Sequence, residues 1–96
     1  MKITTLTIRR GTGPIASQTL VASGIVAQID QQSLDMQNFD RGAAPFDLFN
    51  VMAWTSLIQR NDHLIDTDGL IYTVSARPES FPDGHMECTA YIPVGS

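Results

Sequence analysis

The chain has 96 residues, 43% of them hydrophobic and 17% charged, and a formal net charge of −4. That length gives one domain with a single modest core, and a chain burying roughly 60–65% of its unfolded surface has little room for a deep private pocket. The acidic balance argues against binding nucleic acid through its phosphates, which calls for a basic surface.

A single cysteine, Cys88, cannot form an internal disulfide, which points away from a secreted, stapled scaffold. The apolar run at Met1-Lys2-Ile3-Thr4-Thr5 is too short for a signal peptide, and no window reaches the length of a membrane span. The expected setting is a reducing cytoplasm, or a particle assembled there, with no membrane.

Residues 2 to 9 are rich in β-branched types, with Leu6 and Ile8 on one face and Thr5 and Thr7 on the other, and predict a first strand. Gly11-Thr12-Gly13-Pro14 ends it. From Thr19 to Asp30, Val21, Ile25, Ala27 and Ile29 share a parity, and Gly24 in their midst suits a bulge or sharp bend better than a helix interior. A long bent strand is expected there.

Residues 31 to 45 are mostly polar, with only Leu34, Met36 and Phe39 as anchors. A connection of that length inside a small domain is uncommon and usually functional. A short helix over Ser33 to Asn38, capped by Ser33, is the competing reading. In Phe46 to Ser56, Phe46, Leu48, Met52 and Trp54 lie on one parity and Phe49, Val51 and Ala53 on the other. A strand apolar on both faces is either central to a core or covered by another subunit. A helix competes here as well, but the Phe, Val, Trp and Thr content leans to strand.

Within Ile58 to Arg77, the turn Asp66-Thr67-Asp68-Gly69 is followed by Leu70, Tyr72, Val74 and Ala76 alternating with Ile71, Thr73, Ser75 and Arg77. Asp-Gly before an alternating run predicts a β-hairpin. Pro78 stops the ladder, and the stretch to His85 is turn-rich, with a second Asp-Gly at Asp83-Gly84. The last strand, Met86 to Ile92, places Met86, Cys88, Ala90 and Ile92 inward and Glu87, Thr89 and Tyr91 outward. The sum is an all-β single domain over residues 1–96: a small antiparallel β-barrel or sandwich of about six strands with one long loop, 31–45.

No catalytic set emerges from these residues. His85 and Cys88 have a zinc-like spacing, and His63, Asp62 and Asp66 could be added, but paired ligand clusters are absent. The expectation is no metal, with Cys88 in the core and His85 exposed at a turn. Cys88 lacks a neighbouring base. Asp62, Asp66 and Asp68 sit where a hairpin turn favours Asp for local hydrogen bonds. Arg9, Arg10, Arg41, Arg60 and Arg77 are scattered and not interleaved with Phe46, Phe49 and Trp54, as a base-stacking platform requires. No enzyme and no cofactor are expected; turnover lost on mutating Asp62 or His63 would argue otherwise.

Four segments carry a resemblance: Gly24-Ile25-Val26-Ala27-Gln28-Ile29, Asn61-Asp62-His63-Leu64-Ile65-Asp66, Gly69-Leu70-Ile71-Tyr72-Thr73-Val74, and Met86 to Tyr91. In this order they resemble the head-closure (stopper) or head–tail joining proteins of long-tailed bacteriophages, with Asn61-Asp62 where that family has Gly-Asp. The resemblance implies a small β-barrel in a homo-oligomeric ring of about six or twelve copies in the virion neck. Its partners would be the portal or adaptor ring, the tail proteins, and genomic double-stranded DNA passing through the lumen without sequence-specific binding. An acidic wall suits a passage through which DNA slides. On this reading Gln31, Gln32, Asp35, Gln37, Asn38, Asp40 and Arg41 are candidates for the channel or a neighbouring ring, and Phe46, Phe49, Val51 and Trp54 for the subunit interface. A tail terminator or other neck component and a small-barrel nucleic-acid-binding module are the alternatives.

Overall fold

The computed structural model describes residues 1–32 and 46–93. Strand β1, Lys2–Arg10, runs into a glycine-containing turn and a single 3₁₀ turn at Ile15–Ser17, then returns as β2, Thr19–Gln31. Leu6 faces Ile25 and Ile8 faces Ala22, so β2 carries one residue more than β1 across that interval. The surplus falls at Ser23-Gly24, where Gly24 holds φ 70°. A side chain at Gly24 would meet nothing within 4 Å, so its cost is conformational alone. Gly24→Ala should therefore destabilise by about 1–2 kcal/mol, and thermal melting should show a lower Tm with an unchanged fold.

The remaining strands are β3 (Phe46–Ala53), β4 (His63–Ile65), β5 (Ile71–Val74), β6 (Glu79–Ser80) and β7 (Met86–Pro93). All pairings are antiparallel, in the order β3-β2-β1-β4-β5-β7, and β7 pairs back onto β3. Six strands thus close a barrel, and β6 adds a short flap on β7. The predicted hairpin is present: Ile65 faces Ile71, and the Asp66 carboxylate accepts the amides of Asp68 and Leu70 across the turn. The turn-rich stretch after Pro78 goes further than its sequence indicates, because Phe81 N donates to His85 O at 2.9 Å and folds β6 onto β7.

One side chain in two points inward. Leu6, Ile8, Ala27, Ile29, Val51, Ala53, Leu64, Tyr72, Val74, Met86 and Ala90 fill the barrel, joined by Ile58 from the β3–β4 connection. Ala27 lies opposite Ala53, which leaves width for the larger rings elsewhere. Tyr72 takes that space and meets Phe49 edge-on at 5.1 Å and 88°. The interior is a packed core rather than a pore. Among the described residues, no helix is long and apolar enough to cross a membrane.

Two carboxylates lie inside this frame. Asp62 is fully buried and receives Arg10 Nε at 2.8 Å on Oδ1, with Arg10 Nη2 at 2.9 Å and Gln59 N at 2.8 Å on Oδ2. Asp66 Oδ2 receives Lys2 Nζ at 2.6 Å and the Tyr72 hydroxyl at 2.8 Å. Burial pushes the Asp66 carboxyl up, but those two donors and the Leu70 and Asp68 amides outweigh it and hold it below the usual range. Burial and then Asp66 push the Tyr72 phenol up to about 12. Of the three aspartates Asp66 bonds within the hairpin turn; the Asp68 carboxylate pairs with Lys2 at 2.8 Å, and Asp62 ties β1 to the β3–β4 connection.

Candidate functional site

A closed barrel has no free sheet edges except along its short flap, so its contacts with anything else are made by outward side chains. Register puts those side chains in rows. Phe81 faces His85 across β6–β7, Trp54 lies beside His85, and Trp54 N donates to Val26 O at 3.0 Å across β3–β2. In the next row Glu79 faces Glu87, which faces Met52, then Gln28, then Ile3. Ile3 is 66% exposed, Val26 49% and Trp54 47%, forming an apolar stripe on the outer wall of β1, β2 and β3.

At one end of the stripe His85 is 9% exposed, which corrects the expectation of an exposed turn histidine. Its ring stacks on Phe81, with centroids 4.5 Å apart and planes 3° from parallel, and meets Trp54 at 5.3 Å. Nδ1 bonds Asp83, and Nε2 bonds Glu87 at 3.0 Å. The Glu87 bond is the main reason that the His85 pKa is raised, outweighing burial, with Asp83 adding to it. For Asp83, burial is outweighed by the His85 amide and ring, and its pKa is lowered. Both aromatic neighbours and both carboxylates therefore favour an imidazolium.

The clamp makes the stability of the flap depend on pH. A raised histidine pKa contributes stability that is complete below the ordinary value near 6.5 and lost as pH rises through the folded value; a lowered aspartate pKa contributes above about 3.9 and is lost as pH falls through the folded value. The flap should be tightest between those limits. Urea midpoints from pH 5 to 9 should fall on the alkaline side in the native protein, and His85→Gln should flatten that limb.

The structure divides the residues singled out by sequence. Val51 is 1% exposed inside the core, which corrects its assignment to a subunit interface, while Phe49 is half-buried against that core. β3 is two-faced because its 49/51/53 parity lines the barrel while 46/48/52/54 faces out. Phe46 is half-buried against Tyr91 at 5.4 Å, and Trp54 is open. Gln31 ends β2 opposite Phe49, and Gln32 Nε2 donates to Asn50 Oδ1 at 2.9 Å. Asp35, Gln37, Asn38, Asp40 and Arg41 lie outside the described residues, as does the competing helix over Ser33 to Asn38. Ile3, Val26 and Phe81 are not among the residues singled out by sequence, and His85 is among them only as a turn histidine. Their signal was present, since Ile3 and Val26 are apolar on the parity opposite to Leu6, Ile8, Ala27 and Ile29.

His63 Nδ1 pairs with Gln18 Oε1 at 2.7 Å, and His63 and Cys88 lie on strands separated by β5. Burial, with a smaller push from Asp62, raises the Cys88 thiol to about 12, which holds it as an unreactive thiol. Among the described residues no group of three or more His, Cys, Asp or Glu side chains is placed to hold a metal ion.

Fold and surface together define a small closed antiparallel β-barrel with one flap and an aromatic, acid-flanked stripe on its outer wall. No family model, curated relative or solved structure matches the chain.

Proposed function

We propose that the chain is a virion structural protein of a long-tailed phage, a head-closure or adaptor subunit that forms a ring between portal and tail around the DNA channel. The observation that carries this reading is the solvent-facing stripe of Ile3, Val26 and Trp54 on a barrel that has closed its own sheet. Apart from its short flap a closed barrel offers no edge for strand pairing, so assembly through its wall uses such a face, and apolar surface beyond the core is what a ring subunit requires. The filled interior adds that DNA would follow the axis of the ring and not the axis of any one barrel. The net charge of −4 suits a wall that DNA passes without sticking.

Residues 31–45 take the lumen or the adjacent ring in this proposal. Deleting 33 to 43 from the gene is expected to leave the protein folded and to yield particles that fail to retain DNA or to attach tails. Normal infectious particles from the deleted gene would overturn that role.

A further inference from the structure

Around the closed barrel the strands follow the order β3-β2-β1-β4-β5-β7, so β2 and β5 are three places apart and lie on opposite walls. The stripe is centred on β2. A second apolar patch is centred on β5: Leu70 is 44% exposed and Ile71 37%, with Ile65 facing Ile71 from β4. Two different patches on opposite walls cannot satisfy each other within one chain, and across a two-fold axis each would meet only itself. A head-to-tail contact joins them and leaves one of each free at either end.

Charge follows the same division. Around the stripe and flap stand Asp30, Glu79, Asp83 and Glu87 against Arg77, His85 and the N-terminal ammonium, which lies 3.6 Å from Asp30. Beside the hairpin patch, the outward positions Thr7, Arg9, His63 and Thr73 include a cation and no carboxylate, while the exposed Asp68 of the turn is paired with Lys2 at 2.8 Å, which leaves Arg9 as the excess charge of this wall. The acid-flanked stripe therefore complements the Arg9 side of the hairpin wall.

We infer that the stripe Ile3–Val26–Trp54 of one copy receives the β4–β5 hairpin of the next, with Leu70 and Ile71 seated against Trp54 and Arg9 turned toward the acidic flap. This rests on the ring reading and names the two surfaces that meet. Trp54 is the anchor, a large ring already braced by His85 on one side and open on the other.

The test uses two full-length variants, Trp54→Asp with a dead stripe and Ile71→Asp with a dead hairpin. Val26→Asp stands in if Trp54→Asp melts early. In sedimentation up to millimolar concentration the native chain is expected to form oligomers that grow with concentration. Each variant alone should stay at the monomer mass of 10.5 kDa. Their equimolar mixture should reach twice that mass and stop, because one live stripe meets one live hairpin and both remaining patches are dead. Arg9→Glu should weaken native assembly at least tenfold. Assembly of the Ile71→Asp variant by itself, or a mixture that stays monomeric while the native chain assembles, would overturn this contact and leave the ring reading standing. A native chain monomeric at every concentration would overturn the contact whether or not rings form on phage heads.

Discussion

Asp66→Ala is expected to cost about 3–5 kcal/mol, a large share of the roughly 5–14 kcal/mol that holds a domain of this size together. The Asp66 side chain is fully buried and receives four donors: Lys2 Nζ, the Tyr72 hydroxyl, and the amides of Asp68 and Leu70. Removing it strands a buried hydroxyl inside the barrel and two amides in the turn, and it leaves the start of β1 tied to the hairpin turn by Lys2–Asp68 and Thr4–Thr67 in place of a buried ion pair. Asp66→Asn keeps acceptor capacity for the turn and should lose less. Because the folded carboxyl sits below the usual range, its contribution is present above about pH 3.9 and lost as pH falls through the folded value. Equilibrium urea unfolding at pH 7 and pH 3 checks both statements: the native protein should lose stability on acidification, and Asp66→Asn should lose less over the same interval.

The second large effect is at Arg10. Arg10→Met leaves the Asp62 carboxylate buried with only the Gln59 amide, and should cost at least about 3 kcal/mol. The figure lies at the low end of the range for a broken buried pair because the Arg10 side chain is itself 37% exposed, so water can reach the vacated place. Arg10→Met combined with Asp62→Leu should recover much of that loss, since no charge is left unpaired. A double variant no better than Arg10→Met alone would mean that the Asp62 backbone bonds to Val74 and Gln59, not the ion pair, hold this corner.

The contrast between those two aspartates shows what was legible in the chain. Asp66-Thr67-Asp68-Gly69 declares a turn through residues that bond within four positions, and the hairpin, the Gly24 bulge and the alternation of β7 are local in the same sense. Asp62 looks like another turn residue, and its partner Arg10 is 52 positions away. The β3–β7 pairing that closes the barrel is also non-local, so barrel and sandwich could not be separated beforehand. Phe46 to Trp54 is apolar on both parities, and only Ala53 meeting Ala27 decides which parity lines the barrel and so places Val51 in the core. His85 sits beside Asp83-Gly84 and reads as exposed, yet Phe81, Trp54, Asp83 and Glu87 enclose it through contacts from three elements.

Assembly of this barrel through its outer wall at the neck of a phage particle, the role proposed for it, is open to direct measurement. The measurement that reaches it most directly is the mass of the purified chain by light scattering, alone and after mixing with portal-bearing heads, with the heads then imaged by electron microscopy. Self-association that rises with concentration, a ring of density on the head vertex, and loss of both in Trp54→Asp are the expected results. A chain that never associates with heads, and instead binds an oligonucleotide or a small ligand, would contradict that role.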